Sequence, residues 1–324
     1  MKQLVKNVGI SLIMGMILPY LFLSFGVTVL NRYREQTPQP AFLLEQTEVL
    51  AAVSLPVRLR MEGDAVLEMD MDTYLVGVLL AEMPVSFDLE ALKAQACVAR
   101  TYARKAYTTG GKHGDGSICT DSACCQGYKA PDIYLAEGGT EEEMEKVQSA
   151  VRSTSGYVLM YDGELIEATY FSCSGGRTED AVAVWGREFP YLQAVDSPGE
   201  ENAAYFTDSK QFTASEFAQL LQLPLIEDPA SWLGTTTYTE GGGVHTMVIG
   251  GKTFTGTELR SLLGLRSTAF SMTADPTGVS VITRGYGHRV GMSQYGANAM
   301  AISGSTWEEI VSHYYQNAEL VSLS

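Results

Sequence analysis

Positive charge is scarce in this sequence. Lys and Arg together number 22 against 38 Asp and Glu, giving a net charge of −16 over 324 residues. Duplex nucleic-acid binding depends on cations that neutralise phosphate, so no nucleic-acid partner is expected. Broad adhesion to an anionic membrane surface is disfavoured on the same ground. Cysteine is scarce too, with 5 residues, an odd number. Cys119, Cys124 and Cys125 are clustered, while Cys97 and Cys173 stand apart, so the set is not spread as a disulfide framework. In a domain outside the cytoplasm an odd count leaves a cysteine outside the internal disulfides. Charged residues make up 19% and hydrophobic residues 45% of the chain, which excludes disorder for its bulk.

No charge interrupts Val8 to Leu30, and Lys2, Lys6, Arg32 and Arg34 flank that run. It is long enough to cross a bilayer as a helix, with a kink expected at Pro19. It exceeds a typical signal core, and no small-x-small cleavage motif follows in Thr28-Val29-Leu30-Asn31-Arg32. An uncleaved anchor is therefore expected rather than a removed signal. Basic residues balance across the span, and the N-terminal amine tips the orientation to N-in, C-out. The expected organisation is a cytoplasmic N-terminus over 1–7, an anchor over 8–30, a stalk or adaptor over 31–54, and an extracytoplasmic domain over 55–324.

Within that domain, alternation around Gly63-Asp64 predicts a hairpin over Val57–Met71. Asp72 is placed to cap a helix that Pro84 stops, and Asp88 opens a longer helix to about Tyr107. Thr140 and Glu143 form a capping-box pattern for an acidic helix, and Asp162-Gly163 a second hairpin over Val158–Phe171. Phe212-Thr-Ala-Ser-Glu-Phe-Ala-Gln-Leu-Leu-Gln-Leu is echoed by Phe254-Thr-Gly-Thr-Glu-Leu-Arg-Ser-Leu-Leu-Gly-Leu. Each copy reads as a capped amphipathic helix. The pair either decorates a lobe or forms a wall- or protein-binding one. Val244–Phe254 and Val279–Thr283 look like strands, and Thr306–Glu309 caps a last helix. Hairpins interleaved with helices predict an α+β fold. The core is expected from 55–200 and 270–320, with 200–275 as an inserted lobe.

Glu82 is the first candidate for chemistry. Its neighbours Leu79, Leu80, Ala81, Met83, Pro84 and Val85 are apolar, which disfavours the carboxylate form. The carbonyl end of the helix pushes the same way. A carboxyl held protonated near neutral pH can serve as a general acid; the plainer reading is a surface glutamate at a helix end. On the next helix Lys93, Cys97, Arg100 and Arg104 share one stripe, opposite a small and apolar one of Leu92, Ala96, Ala99 and Ala103. That stripe is either a solvated basic face or a place where Lys93 and Arg100 position an oxygen-rich substrate. His113, Cys119, Cys124 and Cys125 suit tetrahedral zinc by composition, though not by a standard paired-CxxC spacing; a disulfide and free thiols stand as alternatives. Tyr170, Ser174 and Gly175 border a Gly-rich turn that would suit sugar recognition or be a plain turn. His288 and Gln294 lie in a Gly-rich loop feeding a helix, as turn or groove residues.

Tyr74-Leu-Val-Gly-Val-Leu-Leu-Ala-Glu-Met-Pro followed by Glu90-Ala-Leu-Lys-Ala-Gln-Ala-Cys-Val-Ala-Arg-Thr-Tyr-Ala resembles the stage II sporulation protein D family, which includes amidase-enhancer domains. The likeness continues at Cys125-Gln-Gly-Tyr, Ser172-Cys-Ser-Gly-Gly-Arg-Thr-Glu and Gly285-Tyr-Gly-His-Arg-Val-Gly-Met-Ser-Gln-Tyr-Gly-Ala, covering roughly residues 55–320. It implies a lytic transglycosylase that cleaves peptide-stripped peptidoglycan glycan strands during sporulation engulfment. It further implies Glu82 as catalytic acid, and Lys93 and Arg100 as substrate contacts. The matched motifs add Gln126, Ser174, Gly175, His288 and Gln294, and Tyr170 stands on the strand that leads into the Ser172 motif. Stage II sporulation proteins P (an amidase) and M (a membrane protein) are the implied partners. It also favours zinc in the His113–Cys125 loop. The family commonly has His before the final Cys-Gln, where this chain has Cys124, and that departure leaves the fourth ligand open. Two other functions compete: a non-catalytic wall-binding stimulator of an amidase, and a zinc hydrolase of peptidoglycan peptides.

Overall fold

The computed structural model describes residues 56–224 and 229–323. The apolar run 8–30 and the stalk 31–54 lie outside the described residues. Among the described residues no helix is long and apolar enough to cross a membrane.

The first hairpin pairs β1 (Val57–Arg60) with β2 (Val66–Met69), Val57 lying opposite Met69. Asp70, not Asp72, caps α1 (Met71–Glu82): its carboxylate accepts from the Thr73 N–H at 2.9 Å. The strand ends at Met69, so the helix starts immediately and Asp72 falls inside its first turn. At the other end Met83 is extended (φ −129°, ψ 135°), as a residue before proline prefers. Tyr74 to Leu80 are all buried, so α1 is a core helix without a wet face. Asp88 caps α2 (Leu89–Thr109) through the Glu90 N–H, and left-handed Gly110 ends it.

β3 (Ser117–Cys119) joins β1 in parallel. Then come α3 (Pro131–Ala136) and α4 (Glu141–Ser153), the latter with the Thr140–Glu143 capping box formed. β4 (Tyr157–Tyr161) and β5 (Glu164–Leu165) turn around Asp162-Gly163. β6 (Tyr170–Phe171) leaves that hairpin, and α5 (Ala181–Trp185) follows. The next stretch holds β7 (Thr207–Thr213), α6 (Ala214–Leu221), β8 (Leu233–Tyr238), β9 (Val244–Ile249), β10 (Lys252–Thr255), α7 (Gly256–Leu262), β11 (Phe270–Asp275) and β12 (Gly278–Arg284). The chain closes with β13 (Met292–Ser293), α8 (Gln294–Ile302), α9 (Trp307–Tyr314) and β14 (Glu319–Ser322).

The architecture is α+β, with mostly antiparallel sheets beside packed helices. One apolar core is built around α2, which packs against α1, α4, α8, α9 and β4. Its small residues Ala91, Ala94, Ala96, Ala99 and Ala103 are buried and admit close neighbours on several sides. β14, β4 and β5 form one sheet over this core. β6 and β13 pair in parallel, Tyr170 opposite Met292, which ties the middle of the chain to its end. A second apolar cluster runs from Phe217 to Val281, between sheets β10-β9-β8 and β11-β12-β7. Both echoed helices belong to it, each with its capping box formed (Thr213–Glu216 and Thr255–Glu258). The two clusters are stapled by Arg289 and Glu179, buried and 3.0 Å apart. Arg289 also donates to the carbonyl of Gly241 at 2.8 Å, and Glu179 accepts from the Gly243 N–H at 2.8 Å.

Candidate active site

Glu82 is the last residue of α1 and is half-buried. Its carboxyl accepts from the Gly127 N–H and from the Tyr170 hydroxyl. Burial raises its pKa above the ordinary carboxylate value, and those two donors, which favour the charged form, only partly offset the rise. The Tyr170 phenol is itself pushed well up by burial and by the Glu82 charge. Behind them lies a relay: Gln126 donates to the Tyr170 hydroxyl at 3.2 Å and accepts from the Tyr74 hydroxyl at 2.9 Å. Gln126 is 1% exposed, so it orients Tyr170 and does not reach a bound molecule.

Two glycines allow this arrangement. The Tyr128 ring fills the space where a Cβ on Gly77 would stand, 2.2 Å away, so the Cys125–Lys129 segment lies flat on α1. The Lys129 N–H bonds to the Gly77 carbonyl at 2.9 Å, and Tyr74 and Tyr128 stack with ring centroids 6.0 Å apart. A Cβ on Gly127 would meet Glu82 Oε1 at 2.9 Å, so a larger residue would push on the carboxyl.

The same segment begins in a thiol cluster. One ligand atom each from His113, Cys119, Cys124 and Cys125 lie within 4.8 Å of one another. None of these cysteines is in a disulfide. Cys124 Sγ and Cys125 Sγ are 3.8 Å apart, and Cys125 Sγ lies 3.5 Å from His113 Nε2. In a tetrahedron with ligands at about 2.3 Å (sulfur) and about 2.0 Å (nitrogen), two sulfurs stand about 3.8 Å apart and sulfur and nitrogen about 3.5 Å. The donor set and spacing thus fit a tetrahedral cation, and the cluster could hold a metal ion with Cys124 as a thiol ligand. Burial raises the Cys119 pKa, but the Asp121 N–H and the His113, Cys124 and Cys125 side chains outweigh it and bring the thiol down to about 7. A thiol at that value supplies thiolate near neutral pH.

A family profile described as Stage II sporulation protein matches residues 60–161. Stage II sporulation protein D of Bacillus subtilis (strain 168) is 39% identical over 300 residues, 91% of this chain and 87% of that protein. The same-named protein of Bacillus amyloliquefaciens is 37% identical, over 85% of this chain and 81% of that one. The chain belongs to the stage II sporulation protein D family. An amidase enhancer of Bacillus subtilis is 29% identical over 76% of this chain, and only 40% of that longer protein is covered.

In this stage II sporulation protein D family member the residues singled out by sequence separate into two groups. Glu82, Gln126 and Tyr170 meet, and the thiol cluster adjoins them through the chain. His288 lies close by: its ring packs 5.5 Å from Phe171 and 5.4 Å from Trp185. Burial, with nearby Arg260, pushes His288 down to about 4, so it stays neutral, and its Nδ1 accepts from the Val290 N–H at 3.1 Å.

The second group is engaged elsewhere. Lys93 bonds Glu90 at 2.6 Å, and Glu90 also accepts the Trp307 N–H at the start of α9. Arg100 is 2% exposed and donates to the carbonyls of Val151, Thr154 and Tyr157. It serves the carbonyl end of α4, not an open face. Ser174 is fully buried, and its N–H and hydroxyl, with the Gly175 N–H, donate to Glu200 at 2.8–3.0 Å. Gln294 is 6% exposed and faces Gln95 at 3.5 Å.

Sequence reasoning assigned no role to Gly127, Tyr74, Glu200 or Arg260. Tyr74 and Gly127 sit inside the quoted motifs. A backbone donor, however, leaves no side-chain signal to read.

Proposed function

We propose that this protein is a peptidoglycan lytic transglycosylase with Glu82 as its single acid and base. The observation that supports this best is the state of Glu82: one half-buried carboxyl, its pKa raised, steadied by the Gly127 N–H and the Tyr170 hydroxyl. Hydrolytic glycosidases generally employ two carboxylates. The two nearest in sequence are engaged: Asp88 caps α2, and Glu90 is bound by Lys93 and the Trp307 N–H. A lytic route needs only one. Protonated Glu82 gives its proton to the glycosidic oxygen as the bond to muramic C1 breaks. The resulting carboxylate takes the proton of the same sugar's C6 hydroxyl while O6 bonds to C1, closing a 1,6-anhydro ring. No water enters, and Glu82 ends protonated as it began. Tyr170 and Gly127 hold the carboxylate between the two transfers.

Zinc is the metal best matched to one imidazole and three thiolates in a tetrahedron, held by His113, Cys119, Cys124 and Cys125. Bound there, it would cross-link the loop that carries Gln126 and Gly127. The substrate in this reading is glycan stripped of its stem peptides by the amidase, stage II sporulation protein P, with protein M as membrane partner, during engulfment. The apolar run 8–30 would anchor the chain, its catalytic domain on the extracytoplasmic, mother-cell side of the septum. A second reading, a non-catalytic stimulator of an amidase, draws on the likeness to the amidase enhancer.

The test is to incubate the full chain, and its Glu82→Gln variant, with peptide-free glycan strands and to weigh the products. Fragments lighter by one water than hydrolysis products, absent with the variant, are the expected result. Hydrated reducing ends would overturn the lytic route. Binding without cleavage by both proteins would favour the amidase-stimulating module.

A further inference from the structure

The internal echo of the sequence is broken where α6 carries Ala218 and α7 carries Arg260. Ala218 is 4% exposed, inside the second apolar cluster, so this kind of helix needs no cation at that position. Arg260 is half-buried, and among the described residues it forms no ion pair with a carboxylate; Tyr286 lies near enough to favour its charge. Its charge also reaches His288.

The Arg260 carbonyl accepts from the Leu265 N–H at 2.8 Å, which brings the next residue, Arg266, to the same end of α7. Arg266 lies 5.4 Å from the Tyr205 ring and 5.9 Å from the Tyr286 ring, with Asp208 at 3.4 Å. Those two rings are 39% and 43% exposed and 5.3 Å apart. Tyr286 pairs with Cys173, three residues beyond Tyr170 and about 10 Å further along an extended chain. The exposed faces of Tyr205 and Tyr286 thus lie beside two guanidinium groups, a short stretch of chain away from Tyr170.

We infer that Arg260, with Arg266 and the faces of Tyr205 and Tyr286, forms a subsite that reads a carboxylate on the glycan. The inference rests on the glycan-cleaving reading above. Muramic acid carries a lactyl group whose carbonyl is an amide while the stem peptide is attached. Removing the peptide converts that neutral amide into a carboxylate, so each stripped muramic acid gains one negative charge. A guanidinium binds a carboxylate through two parallel N–H donors and has no such bond to make with an amide carbonyl. Tyrosine faces offer an apolar surface for the ring of the sugar. In a chain of net charge −16, a polyanion is repelled at long range unless cations are set aside for it. The subsite therefore supplies the contact that tells a free lactyl carboxylate from its amide.

The experiment measures binding of the full chain, in the Glu82→Gln form so that strands are not consumed. Peptide-free strands are compared with the same strands after coupling of every lactyl carboxylate to methylamine. The expected preference for the free carboxylate is roughly ten-fold, weakening with salt. Adding Arg260→Gln should bring the ratio to about one, by weakening only the charged strand; Arg260→Lys should keep part of it. Thermal unfolding of each variant shows whether it is folded. If folded Arg260→Gln keeps the preference, or the parent shows none, the subsite is wrong. Anhydro products from the wild type with no Arg260 effect would overturn this inference alone. An Arg260-dependent preference without anhydro products would uphold the subsite while removing the lytic reading.

Discussion

Glu82 shows how one side chain is set between two demands. Burial makes its charge costly, while the Gly127 N–H and Tyr170 hydroxyl make that charge bearable. The net effect is that the folded protein holds this proton more tightly than the unfolded chain does. Stability contributed by that proton is present at acid pH. It is lost as pH rises from the ordinary glutamate value through the raised one. Above the raised value the ionised carboxylate therefore works against folding. Glu82→Gln, which keeps an acceptor for Gly127, should melt at a temperature no lower than wild type at pH 7, and that advantage should vanish as the pH falls below about 4. Melting curves across this range check it. In the proposed reaction the rate should fall on the alkaline side of the raised value, because the acid form is then depleted.

At the scale of the element, helix ends account for much of what residues predicted. Capping boxes at Thr140, Thr213, Thr255 and Thr306 are all formed, because a cap needs only residues three apart on one local turn. Asp72 was the less accurate reading: the cap is Asp70, since the choice between two nearby aspartates depends on where β2 ends. The parallel pairing of β6 with β13 was not legible, because it joins short segments far apart in the chain. β7 hid for another reason: Thr207–Thr213 alternates in exposure but reads Thr-Asp-Ser-Lys-Gln-Phe-Thr, with little apolar signal.

The α2 stripe teaches a related lesson. Periodicity told which residues share a face, not what covers it, and for Arg100 the cover is the carbonyl end of α4. Arg100→Ala should accordingly act on folding. It strands buried carbonyls and should cost about 3 kcal/mol, read as a lowered urea midpoint with an unchanged slope. The KM for glycan in the folded protein should stay the same. A raised KM with unchanged stability would return Arg100 to the substrate.

At the scale of the whole molecule, two apolar clusters meet at one buried ion pair. Arg289 holds the carbonyls of Ser174, Arg177 and Gly241 as well as Glu179, so it draws together the turn after β6 and the loop before β9. The position also has left-handed backbone, φ +66°. Removing one partner leaves the other charged and buried, which costs about 3–5 kcal/mol. Arg289→Met should therefore lower stability by that order in chemical unfolding. It should also open the amides of residues 239–243 to hydrogen exchange, while those of α2 stay protected. Loss of protection throughout would mean that the two clusters unfold as one.

Cys125, Gln126 and Gly127 are consecutive, yet each answers to a different neighbour: the thiol cluster, a pair of phenols, and the carboxyl of Glu82. Surface loops ordinarily absorb an added or missing residue. This one has no slack, because shifting the chain by a single position would trade every appointment for a wrong one. Exposed side chains nearby can change over evolutionary time, but the length of this segment cannot. Insertions and deletions in such chains should accumulate on either side of these three residues and spare the interval between them.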